Sequence, residues 1–538
     1  MKTLYFNGDF VPMTTEDDTF EALLVADDGT IAFTGSLEEA RAQAAGCEEI
    51  DLEGKAIMPG FIDPHGHFGL INTLLATADL SLCESIDDIL DTLRAFLAEH
   101  PTDADGVLFG MNYDHNNLAE QRHPTKFDLD KVSSEIPIAL MHASVHMMAA
   151  NTPMLAVVGI DEDSIDPEGA RYARVGDTRE PDGYIEETAA MLPVYGAATA
   201  RLNATYDSLL EDMQREYSSR GVTTCQEGAT DPKMCEAFAN LAKEGRFVID
   251  VVLYPMSSYD VSGMLSSYAE FDSCEYTGHI RIGGVKTVLD GSPQGRTAWM
   301  SEPYTLGQEG EGFCSHGFKS DEEVYEFAKM AIDTNHDYLA HANGDATAEQ
   351  ILRCYTKAYQ DSDNANKENL RPVMIHCQTT RRDQYERMKA INMIPSLFTS
   401  HMWYWGDVHL KNFGEARGMR ISAVKDALDC ELPYTFHTDF PILPPNMLET
   451  VWCAVNRITK NDVHLAEDLK VGTFDALRAI TINGAYQYHE DDRKGTLEAG
   501  KLADLVILSE NPLKVDPMDI KDITIFETIK EGATVYQR

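Results

Sequence analysis

His65 and His67 stand two residues apart, directly after the apolar run 57–63. At the end of an extended segment, side-chain alternation puts both on one face, where two imidazoles can hold one ion. The chain has 17 histidines, so an isolated pair also arises by chance, and the weight falls on what recurs elsewhere. His341 follows the run 337–340, His376 follows 372–375, and Asp439 follows 432–436. One polar residue at a strand end is ordinary. Four histidines and an aspartate at the same end of successive runs make metal ligation the better explanation.

Lys286 lies in GGVKTVLDGS, inside an otherwise apolar run. An unpaired ammonium on the dry face of such a strand is costly. Two arrangements relieve it: an ion pair with a carboxylate such as Asp290, or a depressed pKa that leaves a reactive amine, able to add carbon dioxide and become an anionic ligand. The residue types alone leave both open.

These side chains need elements to position them. Eight short apolar runs (57–63, 221–226, 247–254, 284–289, 337–340, 372–375, 393–397 and 432–436) are each followed by a polar cluster and a helical pattern. Eight β-α units close a barrel, whose chemistry sits at the carboxyl ends of the strands. The expected class is α/β: a (β/α)8 TIM barrel over 57–489. The gap between the first two runs is too long for a connection, so an α/β subdomain is expected at 77–206, with strands at 106–111 and 136–142. Alternating segments at 4–6, 22–25 and 31–33, punctuated by Asn7-Gly8 and Asp28-Gly29, and another at 503–508 predict a small β-sandwich built from 1–56 and 490–538.

Bulk properties narrow the partners. The 538 residues carry 89 acidic and 44 basic side chains, a formal charge of -45, which repels phosphate backbones and anionic lipids alike. Nucleic acid and membrane are excluded as partners, and a small molecule is expected; self-association into a homo-oligomer stays open. The N-terminal residues MKTLYFNGDF carry no apolar signal segment, and no stretch is apolar over the ~20 residues of a spanning helix. Ten cysteines without a CxxC pair suit a reducing compartment. The expected location is the cytoplasm.

The strings MPGFIDPHGH, GGVKTVLDGSPQGRTA, HANGD, IHCQ and HTDFP, in that order and spacing, resemble the amidohydrolase superfamily, and within it the amidohydrolase 3 branch of YtcJ-like proteins and N-substituted formamide deformylases. GTLEAGKLADLVIL resembles that superfamily's return from the barrel to the β-domain, so the likeness spans nearly the whole chain. It implies that His65 and His67 bind a first metal, Lys286 is a carboxylated bridging lysine, His341 and His376 bind a second metal, and Asp439 completes the site. VHMMAANTPML around His146 and GYIEETA around Glu187 resemble branch motifs too, which places these residues near the substrate unless they are surface or packing positions. The branch often has Glu where Ile375 precedes His376; opposite facing of neighbours should spare the ligand itself. In SLFTSHMWYWGD, His401, Trp403 and Tyr404 are candidates for the pocket wall, with plain packing as the alternative.

The function implied is metal-dependent hydrolysis of a C–N bond in an amide, formamide or cyclic amide. One or two divalent ions, Zn first among them, would bring the pKa of a bound water to about 7. Asp439 would accept the proton and return it to the departing nitrogen; Asp439 and Lys286 are the residues expected in the chemistry itself. An ester or lactone hydrolase on the same site, and a metal-bearing binding or regulatory protein without turnover, are the competing classes. No G-x-S-x-G elbow or P-loop supports a serine hydrolase or an NTPase.

Overall fold

The computed structural model describes residues 2–115, 117–142, 147–167, 170–202, 206–305 and 312–538. It divides into two compact units, one of Met1–Phe68 with Gln214–Arg538 and one of Gly69–Met213.

In the first unit, two small sheets come from the chain ends. One is ordered Ile31–Gly35, Ala22–Val25, Thr3–Phe6, Glu48–Asp51; the other Asp9–Phe10, Ala56–Pro59, Leu505–Leu508, Ile525–Lys530, Ala533–Gln537. The strand Ala22–Val25 shows why ALLV suits its place. Leu23 and Val25 enter a core with Ile57, Leu505 and Ile507 of the other sheet, while Ala22 and Leu24 face Ala40 of the helix Leu37–Gln43. Period-two alternation serves two cores at once. Gly29, at φ 80°, closes a turn where a Cβ would lie 2.3 Å from the Glu531 carbonyl, so only glycine fits.

Two parallel sheets hold the expected strand-end residues. The first is ordered Ile280–Ile282, Asp250–Pro255, Val222–Thr230, Phe61–Ile62; the second Gly284–Val288, Asp337–Ala342, Val373–His376, Ile394–Leu397, Thr435–Phe436. Helices connect them, for example Pro232–Lys243, with Asp231 accepting from the Met234 N–H and Pro232 opening the first turn. One apolar core joins both sheets: Ile62, Val252 and Tyr254 from the first meet Leu339, Val373, Ile375 and Ile394 from the second.

The hydrogen-bonded ring of a closed barrel is interrupted. The expected first run splits: 56–59 pairs with the chain's C-terminal strands and only 61–62 joins the parallel sheet. The run at 284–289 is preceded by a separate strand, Ile280–Ile282, which pairs with the other sheet. The chain steps between sheets at Gly283-Gly284, where a Cβ on Gly283 would come within 2.4 Å of Val252. A single parallel bridge, Met256 to Lys286, spans that step. Opposite it, the Asp439 N–H donates to the His65 carbonyl (3.1 Å) and the His67 N–H to Phe440 (2.7 Å).

The second unit is a six-stranded mixed sheet ordered Arg171–Arg174, Pro181–Glu186, Met147–Ala150, Ile138–His142, Leu108–Tyr113, Ala78–Asp79. Leu108 and Leu140 face the helix Ile86–Glu99, while Phe109 and Met141 face Thr152–Val158 and Thr188–Leu202. Among the described residues, no helix is long and apolar enough to cross a membrane.

Candidate metal centre

His65 is buried just past the strand Phe61–Ile62. Gln226, on the neighbouring strand, fixes its ring: the amide donates to the Pro64 carbonyl (2.8 Å), so its oxygen accepts the proton on His65 Nδ1 (2.7 Å). His65 Nε2 is thereby left as a lone-pair donor, 3.3 Å from Lys286 Nζ and 3.4 Å from Asp439 Oδ1. His67 Nε2 lies 3.2 Å from that same oxygen.

His376 and Asp439 take left-handed backbone conformations, φ 77° and 55°, at the ends of their strands. This revises the expectation about Ile375. Ile375 packs in the shared core with Leu339 and Ile394, yet the His376 ring sits 4.5 Å from His341 and 5.5 Å from His65. The positive φ interrupts the alternation, so both neighbours serve the interior.

His376 Nδ1 is 3.0 Å from His437 Nε2, and His437 Nδ1 is 2.8 Å from Ser396 Oγ. A chain of this kind orients a ligand ring through its far nitrogen. Burial pushes both imidazoles far down, His437 to about 3, so they are neutral at pH 7 and the Nε2 of His376, outside this chain, can coordinate. His341 Nδ1 approaches Asp290 Oδ1 to 3.2 Å without an aligned hydrogen bond. Asp290 is not the partner of Lys286 that one of the two arrangements supposed. It accepts from the backbone N–H groups of Asn343, Gly344 and Trp299 and from the Thr347 hydroxyl.

Burial lowers Lys286 to about 8. Burial alone would raise the Asp439 carboxyl, but His67, His437 and Lys286 together hold it below its ordinary value. Asp63, beneath the centre, is raised to about 7 by burial although the Thr438 hydroxyl and N–H donate to it.

The donor atoms themselves test the fit of a divalent cation. His67 Nδ1, His341 Nδ1 and Asp439 Oδ1 are buried and make no hydrogen bond among the described residues. Ring nitrogens of His65 and His67 and an oxygen of Asp439 lie within 4.8 Å of one another. Tetrahedral ligands at about 2.1 Å from one ion stand roughly 3.4 Å apart, and the separations of 3.2 to 3.4 Å around Asp439 Oδ1 and His65 Nε2 have that spacing. The residues fit the ion.

The structure thus brings His65, His67, Lys286, His341, His376 and Asp439 together. It adds His437, whose place two residues before Asp439 was its only signal, Gln226, which carried none, and Asp290, which the sequence offered only as a partner for Lys286. His401 is buried behind Phe398, with ring centres 4.6 Å apart; Phe398 in turn lies 5.2 Å from His437. Trp403 does not join them: it packs edge-on against Trp452 at 5.2 Å. Both belong to the helix His401–Gly418, where residues two apart face nearly opposite ways. Tyr404, 3.5 Å from Glu449, also points along that helix's packing side. Glu187 is an exposed residue of the second unit at φ 70°, and His146 lies outside the described residues.

Imidazoles and a carboxylate gathered at the carboxyl ends of parallel strands define an α/β protein with a candidate metal centre. A model of the amidohydrolase family matches residues 48–536, and the chain belongs to that family. It is 25% identical to an N-substituted formamide deformylase of Arthrobacter pascens, over 99% of this chain and 98% of that protein. It is also 25% identical to the putative amidohydrolase YtcJ of Bacillus subtilis over the full length of both. An uncharacterized metal-dependent hydrolase of Pyrococcus horikoshii OT3 shares the fold, with a TM-score of 0.78 and 24% identity across 96% of this chain and 99% of that one.

Proposed function

We propose that the chain hydrolyses a C–N bond of a small amide, formamide or cyclic amide in the cytoplasm, at a divalent-metal centre held by His65, His67, Lys286, His341, His376 and Asp439. Zn is the ion that imidazole and carboxylate donors suit. The two parallel sheets are read as a (β/α)8 barrel over 57–489, with a β-sandwich of 1–56 and 490–538 and a subdomain inserted at 77–206. The observation that carries the proposal is the convergence of His65 Nε2 and His67 Nε2 on Asp439 Oδ1 at 3.4 and 3.2 Å, the spacing of ligands on one ion.

When bound, the cation acidifies water to a pKa of about 7 and polarises the scissile carbonyl. Asp439, ionised at neutral pH, takes the proton from the attacking water and returns it to the departing nitrogen. Gln226 holds the His65 tautomer, and the Ser396–His437 chain holds His376. His401, packed against Phe398, is read as part of the pocket wall. Incubating the metal-loaded protein with N-formyl, N-acyl and cyclic amides beside matched esters and lactones is expected to release amine from the amides. Turnover of esters alone overturns the C–N assignment, and no turnover at all overturns the enzyme.

As its carbamate, formed when the neutral amine adds carbon dioxide and sheds one proton, Lys286 would supply an anionic oxygen ligand to the metal centre. Because its pKa is lowered to about 8, the neutral fraction is minor at pH 7 and dominant at pH 9. Metal uptake by the apoprotein in bicarbonate should therefore rise across that interval. Lys286→Ala is expected to lose metal and to regain part of its activity with added short carboxylic acids. Unchanged metal content in the variant would rule the carbamate out.

A further inference from the structure

We propose that the unit of Gly69–Met213 carries a transition-metal site of its own, formed by His115, His123 and His142 with Asp114 beside them. The three imidazoles come from three segments. His115 follows the strand Leu108–Tyr113, His142 ends the adjacent parallel strand Ile138–His142, and His123 lies in the loop before the helix Lys126–Leu129. Tyr113 and His142 are register partners, so two of the three histidines are anchored at neighbouring strand ends.

One ring nitrogen of each histidine lies within 4.8 Å of the others. His115 Nδ1 and His142 Nε2 are 3.0 Å apart, and the His115 and His123 rings stack at 4.0 Å. Asp114 Oδ1 lies 3.4 Å from His142 Nε2 and 3.8 Å from His115 Nδ1, a carboxylate beside two of the imidazoles. The surroundings restrain the rings as an outer shell restrains ligands: Tyr113 OH is 3.1 Å from His123 Nδ1, and the Tyr184 ring stacks on His123 at 4.2 Å.

Three imidazoles this close cannot all carry charge. Burial first, and then repulsion from His115 and His142, bring His123 down to about 4, and burial also lowers His142. At neutral pH His123 and His142 are thus uncharged nitrogen donors, gathered with His115 near the Asp114 carboxylate. That chemistry selects Zn, Co, Ni or Cu dications over Mg or Ca, which take oxygen ligands. None of these residues belongs to the centre around Asp439.

The probe is Co²⁺ alone, added to the full-length protein and counted by equilibrium dialysis together with its visible absorption. His115→Gln/His123→Gln is expected to bind one equivalent fewer than the wild type and to lose the matching part of the spectrum. The same loss of one equivalent is expected in a His65→Ala/His67→Ala background. No loss in either background reduces the cluster to a hydrogen-bonded histidine group and overturns the proposal. Should the double variant fail to fold, wild-type crystals soaked in Zn²⁺ provide the second measurement. An anomalous peak at about 2.0–2.1 Å from the imidazole nitrogens is expected, and its absence overturns the site.

Discussion

Asp439→Asn lowers kcat by about 10²–10⁴-fold, the range that a positioned proton-transfer group contributes, while the fold stays intact. The substitution keeps size and backbone but removes the charge that His67, His437 and Lys286 stabilise. An amide cannot take a proton from water at neutral pH, so the loss falls on turnover even where the protein still holds metal. Asp439 Oδ1 also stands 3.2 and 3.4 Å from the Nε2 atoms of His67 and His65, so some metal is lost as well, and His65→Ala should abolish turnover by that route. Measuring kcat and metal content side by side on the amide found in the panel separates the two effects. Full activity in Asp439→Asn dismisses its role.

Asp250→Asn is expected to cost about 3–5 kcal/mol of folding stability, as breaking a buried ion pair does. Asp250, wholly buried at the start of its strand, accepts from Lys494 (2.5 Å), Lys530 (2.7 Å) and His279 (2.7 Å). Both lysines come from the C-terminal part of the chain and are themselves buried; Lys494 also pairs with Glu490 and Lys530 with Asp504. Without the charge on Asp250, two ammonium groups share too few anions in a dry interior. Burial alone would raise the Asp250 carboxyl, but Lys494, Lys530 and His279 hold it well below its ordinary value. Its contribution is therefore complete above the unfolded value of about 3.9 and disappears as pH falls through the lower folded one. Urea unfolding of wild type and variant at pH 7 measures the difference, and a loss under about 1 kcal/mol would show the network to be dispensable.

The residues gathered around Asp439 were legible because the four histidines and the aspartate follow the carboxyl ends of apolar runs and Lys286 interrupts one, positions that a single sequence displays. What lies behind the ligands was not. His437 follows from the two-residue spacing to Asp439 only once Ser396 is known to face it, and that pairing joins two separate strands. Asp290 looked like a partner for Lys286 because it lies four residues away, whereas it ties two loops and faces His341. For Trp403 the sequence left pocket wall and packing open, and the contact of residue 403 with Trp452 depends on a helix beginning at His401 that no local pattern announces. The step at Gly283-Gly284 was hidden for a related reason: a Gly-Gly pair announces a break but not which of two sheets each side joins. Clustering of His115, His123 and His142 depends on the pairing of two strands in the second unit, which no local pattern reveals.

The segment before His65 has a further consequence. Ala56–Pro59 is paired along its length with Leu505–Leu508, and the Gly60 N–H donates to the Asp504 carbonyl. The support for His65 and His67 is thus made from residues far along the chain from them. A nascent chain leaves the strand before His65 and His67 unpaired on that side until Leu505–Leu508 has emerged, so bracing this pair waits on the slow closure of a very long loop.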